Sequence, residues 1–199
     1  MARIAVLCVL GLALAFVATA TAAAPGWRTY RVPSAGVTID LPTSWQSADY
    51  AAVAGSLGAG NSSAAKIAQI AAQNKLVKFF AYAPATAPAN VVVIRFSGSQ
   101  LKDLGMLGEL SSAAGQLGID TKGLHLTQTT FPAGTAASIH TTTSAAGVKV
   151  EQSEYLFTHD GAVVAITFSA SAEVFRAYAK TVTQALTSMR WLPTSATRA

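Results

Sequence analysis

The feature that most constrains the fold is a hairpin signal late in the chain. Two runs typical of β-strands, residues 148–158 and 162–169, are separated by the turn residues Asp160 and Gly161. Asp-Gly is a preferred sequence for the tight turn between antiparallel strands, because both turn positions require positive φ. Strands joined in this way pair side by side, and the chain is therefore expected to contain an antiparallel sheet.

Other segments predict further strands and the helices that cover them. Strands are expected at residues 37–41, 77–82, 91–96, 124–131 and 135–142, and the last two form a hairpin around Ala133. Helices are expected at residues 64–74, at residues 101–117 and after residue 171, with Ser99 and Ser171 as N-caps of the last two. The final helix has apolar residues spaced to cover a sheet, namely Phe175, Tyr178, Val182, Leu186 and Met189. This order of elements predicts an α+β fold, an α/β/α sandwich around a central antiparallel β-sheet.

The first predicted strand ends abruptly. Val37, Ile39 and Leu41 alternate with polar residues, as in a half-buried strand. Pro42 cannot donate a hydrogen bond to a sheet, so strand pairing is expected to end there. Trp45 follows closely, and we expect its side chain to cover the end of the strand as a buried plug.

The N-terminus is typical of a secretory signal peptide. One early charge, Arg3, precedes an unbroken apolar run at residues 4–17 and then a series of small residues. The run is shorter than the roughly 20 residues that a membrane-spanning helix needs. We expect cleavage after Ala20, Ala22 or Ala23, with Ala22 favoured, and the alternative is an uncleaved N-terminal anchor.

The chain is therefore expected to have three parts: a signal peptide at residues 1–22, a single domain at residues 23–193 and a disordered tail at residues 194–199. The mature protein is expected to be secreted or periplasmic, with no transmembrane span after cleavage. Cys8 is the one cysteine and lies inside the apolar run, so the mature chain has neither a disulfide nor a thiol catalyst. The net charge of +5 is spread along the chain, which argues against a nucleic-acid partner.

Residue types that carry out catalysis are present, but their spacing is not that of a catalytic or metal site. The three histidines lack the HxH or HExxH spacing of zinc ligands. A turn centred near Ala133 places His125 and His140 on opposite faces, and the alternative is a register one residue away, which brings the two histidines together. No serine lies in a Gly-x-Ser-x-Gly sequence. Glu151 and Glu154 are three apart on a strand and point in opposite directions. We therefore expect no enzyme activity, no metal and no cofactor.

Two candidate binding regions remain. The first mixes aromatic residues with arginine, a composition typical of protein interfaces, and the alternative is an ordinary first strand. Its residues are Trp27, Arg28, Tyr30 and Arg31. The second is a helix rich in leucine and glycine that can leave an apolar cavity above the sheet, and the alternative is ordinary core packing. Its residues are Leu104, Leu107 and Leu110.

Two patches of the sequence resemble the PsbP-like family, which includes photosystem II extrinsic proteins and proteins that bind a small GTPase of the Ran type. The first is residues 30–45, where a glycine-led aliphatic strand leads into Pro-x-x-Trp. The second comprises residues 155–161, 165–170 and 188–191, which are similar to the last hairpin and helix of the family. The resemblance implies an α/β/α sandwich and an accessory or binding role, and it carries over no catalytic residue.

The threonine-rich middle of the chain departs from the photosystem members, which argues against a photosynthetic role. The expected function is that of an exported, non-enzymatic bacterial domain that engages a protein or a cell-envelope component. The alternative is a carrier or sensor of a small apolar, lipid-like ligand in a cavity between sheet and helices.

Overall fold

The structure is a computed structural model that describes residues 26–50, 70–83, 89–100, 126–145 and 148–193. The strands are β1 (Trp27–Val32), β2 (Val37–Pro42), β3 (Gln46–Ser47), β4 (Val77–Tyr82), β5 (Ala89–Phe96), β6 (Thr127–Phe131), β7 (Gly134–Ala145), β8 (Val148–His159), β9 (Ala162–Ser171) and β10 (Arg190–Trp191). Helix α1 (Ala172–Phe175) and helix α2 (Ala179–Ser188) are joined by a 3₁₀ turn, Arg176–Tyr178. Among the described residues, no helix is both long enough and apolar enough to cross a membrane.

The strands form two antiparallel sheets. One has three strands in the order β1-β2-β10, and the other has seven in the order β3-β4-β5-β9-β8-β7-β6. The turn between β8 and β9 has Asp160 at φ 48° and Gly161 at φ 70°, which is the geometry that the Asp-Gly signal predicts. The predicted α+β fold with a central antiparallel sheet is confirmed.

The main hydrophobic core lies between the two sheets. The inward residues of β2 (Val37, Ile39 and Leu41) are fully buried, as their alternation predicts. They pack with α2 against one face of the large sheet, where β5 and β9 contribute apolar side chains. Trp45 is only 2% exposed, and its ring meets the ring of Tyr178 edge to face at 5.8 Å. The predicted plug at the end of β2 is therefore confirmed.

The opposite face of the large sheet is also buried at its central strands. Strand β5 is buried on both faces, as its continuous apolar run predicts. On this second face the ring of Phe80 packs against the ring of Tyr50, 5.8 Å away. Of the helix predicted at residues 64–74, the described part at 70–73 is helical. The helix predicted at residues 101–117 lies outside the described residues.

The C-terminal segment differs from the expectation in part. The predicted single helix is divided by the 3₁₀ turn, whereas Ser171 is at the N-cap position, as predicted, although its side chain makes no capping hydrogen bond. After α2 the chain pairs with β2 as the short strand β10, in which Arg190 lies opposite Thr38 and Trp191 opposite Val37. The sequence contains no local signal for this strand, because its partner is far away along the chain.

The hairpin of β6 and β7 is confirmed, but with a different register. Its loop consists of Pro132 and Ala133, so that Phe131 lies opposite Gly134 and Thr127 lies opposite Ser138. The predicted turn, centred on Ala133, is therefore wrong by one residue in the register of every strand pair. Gly134 has φ 125°, a conformation that favours glycine and fixes the position of this turn.

Ser97 and Gln100 close the turn that follows β5. The Gln100 backbone N–H donates to Ser97 Oγ at 3.2 Å, and the Ser97 backbone N–H donates to Gln100 Oε1 at 2.9 Å. This reciprocal pair has the bonding pattern of a capping box and closes the turn after β5, while the helix that Ser99 is predicted to cap lies outside the described residues. We expect Ser97→Ala to lower the free energy of unfolding by about 1 kcal/mol in urea titrations. Ser99→Ala is the control, because it removes only the 2.8 Å hydrogen bond between Ser99 Oγ and Ser97 Oγ and keeps the bonds to Gln100. An equal loss in both variants would contradict this role of Ser97.

Candidate binding surface on the three-stranded sheet

Strand β1 is an edge of the three-stranded sheet. It pairs with β2 on one side, and among the described strands none lies on its other side. Arg28, Thr29 and Arg31 are exposed. The outer side of an edge strand presents backbone N–H and C=O groups that an added strand can pair with. The first candidate region of the sequence is therefore placed where another extended segment can dock.

Arg28 and Tyr30 lie together on the inward face of β1. The Arg28 guanidinium carbon is 4.6 Å from the centroid of the Tyr30 ring, and the guanidinium also donates to the Tyr30 hydroxyl. The Tyr30 hydroxyl donates to the Trp45 carbonyl oxygen at 3.1 Å. On its other side the Tyr30 ring is 5.1 Å from the ring of Phe79. Tyr30 is therefore half-buried and holds the Arg28 guanidinium in place beside the strand edge.

Arg31 lies on the outer face of the same sheet, where it is part of a cross-strand row. It is directly opposite Thr38, and Thr38 is directly opposite Arg190. Directly opposed residues share a face, and neighbouring strands are about 4.8 Å apart, so the two arginines flank Thr38 with their backbones about 10 Å apart. Arg190 Nη1 donates to the carbonyl oxygens of Thr187 and Met189, each at 2.7 Å. These bonds fix the Arg190 side chain at the C-terminal end of α2.

The arginines of this surface have no ion pair with a carboxylate among the described residues. In the described part of the chain, the carboxylates that lie within 4.0 Å of a basic side chain contact histidines. Glu151 lies near His140, and Asp160 lies near His159. Asp40 is on the outer face, where its Oδ1 accepts a hydrogen bond from Thr29 Oγ1 at 2.6 Å. Lys180 adds a positive charge in an open groove of about 590 Å³ next to β2. The outer face is therefore positively charged.

The structure divides the first candidate region between two faces. Arg28 and Tyr30 are brought together, Arg31 lies on the opposite face, and Trp27 is half-buried against the edge of the core. Sequence reasoning missed Arg190, because only strand pairing over a long sequence distance brings it into the same row as Arg31. The second candidate region, Leu104, Leu107 and Leu110, lies outside the described residues.

The two described histidines, His140 and His159, have different neighbours. His140 Nε2 is 4.0 Å from a carboxylate oxygen of Glu151, and the ring of His159 stacks on Trp191 with 4.0 Å between the centroids. His125 lies outside the described residues. Within the described ranges, no three histidine, cysteine or acidic side chains are grouped as metal ligands.

Comparison with known proteins gives structural similarity without sequence similarity. The sequence matches no protein-family model and no curated protein. PsbP (CyanoP) from Synechocystis sp. PCC 6803 is similar with a TM-score of 0.50 and 11% identity, over 88% of this chain and 98% of that chain. A protein from Bacteroides thetaiotaomicron VPI-5482 gives a TM-score of 0.47 at 12% identity, over 84% of this chain and 49% of that chain. This chain thus spans about half the length of the Bacteroides protein.

A third solved structure is LpqN of Mycobacterium tuberculosis, a protein involved in cell envelope biogenesis. Its TM-score is 0.41 at 12% identity, over 79% of this chain and 83% of that chain. At identities this low, structural similarity leaves function open. The seven-stranded antiparallel sheet and the similarity to the cyanobacterial protein together indicate that the chain has a PsbP-like α+β fold.

Proposed function

We propose that this protein is an exported, non-catalytic binding domain that captures an acidic, extended segment of a cell-envelope protein along β1. The observation that carries the proposal is the exposed edge of β1, which bears Arg28 and Arg31 without a described carboxylate partner. The signal-like N-terminus at residues 1–22 supports export.

The alternation of side chains along a strand explains how one edge uses both arginines. A strand added beside β1 points its successive side chains to opposite faces of the sheet. Acidic residues on one face meet Arg28, and those on the other face meet Arg31, with Arg190 further along the same row. Backbone pairing supplies the affinity in this mode of recognition, while the side chains supply the specificity. The guanidinium group is suited to this role because it binds a carboxylate through two parallel hydrogen bonds.

The charge and polarity of the surface favour an acidic protein segment over other partners. A second copy of β1 would bring arginine against arginine, and directly opposed like charges destabilise a strand pair. A membrane surface would require exposed apolar side chains for insertion. Leu126 is the one large apolar side chain that is exposed among the described residues, and it adjoins β6 in the other sheet.

The proposal predicts selective binding of an acidic peptide. We expect a fluorescein-labelled peptide that repeats Thr-Glu-Glu to bind in anisotropy titrations at low salt, and a Thr-Lys-Lys peptide not to bind. Arg31→Gln is expected to weaken binding by about tenfold, since a hydrogen bond to a charged group contributes about 1.5–3 kcal/mol. Arg176→Gln is the matched control, because it removes the same charge from an exposed position in the 3₁₀ turn.

Two results would contradict the proposal. One is equal binding of the acidic and the basic peptide. The other is an equal loss of affinity in Arg31→Gln and Arg176→Gln, which would show that only the net charge of the protein matters and that β1 is not the binding site.

A further inference from the structure

Strand β6 is a second exposed edge, and its chemistry is the opposite of that of β1. It is the last strand of the seven-stranded sheet in the described part of the chain, and it pairs with β7 alone. The side chains of Thr127, Gln128, Thr129 and Thr130 are all exposed, although they alternate between the two faces. Both faces of the strand are therefore open to solvent at residues 127–130.

The features that usually protect an edge strand are missing from β6. Residues 126–131 include no charged residue and no proline, and their register with β7 has no bulge. Natural proteins usually place lysine, proline or a bulge on a free edge to prevent pairing with another chain. The opposite edge of the same sheet, β3, is only two residues long. An open, regular and uncharged edge of this kind is a template for a further strand.

The side chains of β6 are complementary to themselves. A hydroxyl group both donates and accepts hydrogen bonds, so a row of threonines can pair with an identical row. Within the hairpin this already occurs, because Thr127 Oγ1 and Ser138 Oγ are 2.7 Å apart and Thr130 Oγ1 and Thr135 Oγ1 are 3.2 Å apart. Opposed threonines stabilise a strand pair, and no like charges meet when β6 pairs with a second β6.

We propose that β6 pairs antiparallel with β6 of a second copy of this chain, joining two seven-stranded sheets into one. The contact is isologous, since the same surface of each copy contributes. A two-fold axis through the middle of the strand places Thr129 opposite its own counterpart. This surface is independent of β1, which remains free at the other sheet for an acidic partner.

The proposal is tested by sedimentation equilibrium of the purified protein from about 5 to about 500 µM. We expect a reversible dimer whose dissociation constant rises at least about tenfold in Thr129→Lys, because two like charges then lie directly opposite each other. Thr158→Lys is the matched control, since Thr158 is equally exposed but lies in β8, an interior strand. Circular dichroism establishes that each variant is folded.

A charge swap tests the register. Thr129→Glu alone is also expected to weaken the dimer, and an equimolar mixture of folded Thr129→Lys and Thr129→Glu proteins is expected to restore it. A protein that is monomeric over the whole concentration range overturns the proposal. The proposal is also overturned if Thr129→Lys and Thr158→Lys weaken the dimer equally, or if the mixture of the two charged variants fails to associate.

Discussion

Replacing Trp45 with alanine is expected to lower the free energy of unfolding by about 3–5 kcal/mol, the usual cost of truncating a large buried aromatic side chain. Trp45 is 2% exposed and packs edge to face on Tyr178. It lies where β2 ends, between the three-stranded sheet and the C-terminal helical segment. Truncation therefore removes apolar contacts and leaves a cavity at the junction of several elements.

The measurement is urea denaturation followed by far-ultraviolet circular dichroism, which does not depend on tryptophan emission. Trp27→Ala is the control, because Trp27 is only half-buried at the sheet edge and its loss is expected to cost less. Trp45→Phe is expected to retain part of the stability, since a smaller aromatic ring still fills some of the space. Equal losses in Trp45→Ala and Trp27→Ala would show that Trp45 does not act as the plug.

Alkaline pH is expected to destabilise the protein through Tyr50. Burial raises the pKa of Tyr50 from its ordinary value of 10.0 to about 12. The unfolded chain therefore loses this proton at lower pH than the folded chain, so the stabilisation is complete below about pH 10 and is lost as pH rises towards 12. A difference of this size corresponds to about 2–3 kcal/mol. Burial also raises the pKa values of Tyr155 and Tyr178, which adds to the loss in the same direction.

The pH effect is measured as the difference in unfolding free energy between about pH 8 and pH 11.5. Tyr50→Phe removes the titrating hydroxyl and is expected to flatten the alkaline decline. A decline that is equally steep in Tyr50→Phe and the wild type would contradict this assignment.

Elements with a strong local signal were predicted correctly. The alternation of β2, the Asp-Gly turn between β8 and β9, and the continuous apolar run of β5 each correspond to an observed element. Such patterns are readable because burial of one or both faces dictates the order of apolar and polar side chains along the strand. The register of the β6–β7 hairpin was missed by one residue, because both flanking strands are threonine-rich and neither face has an apolar pattern to define it.

Polar residues at buried positions were the least predictable. On the second face of the large sheet, Gln152 and Glu154 of β8 are 2% and 1% exposed, and they lie opposite Ser169 and Thr167 of β9. In the sequence, this alternation looks like that of side chains facing water. The packing of other elements over the face decides that it is buried, and no single strand contains that information.

The candidate surface shows the same division. The sequence by itself determined the arginines and aromatic residues of β1, the turns and the class of fold, because these depend on residue type and spacing along a short stretch. Alternation along β1 already places Arg31 on the face opposite Arg28 and Tyr30, whereas only the tertiary structure decided that Arg190 joins Arg31 across Thr38. The physical reason is that strand pairing joins residues more than 150 positions apart, and its register follows from the closure of the whole core.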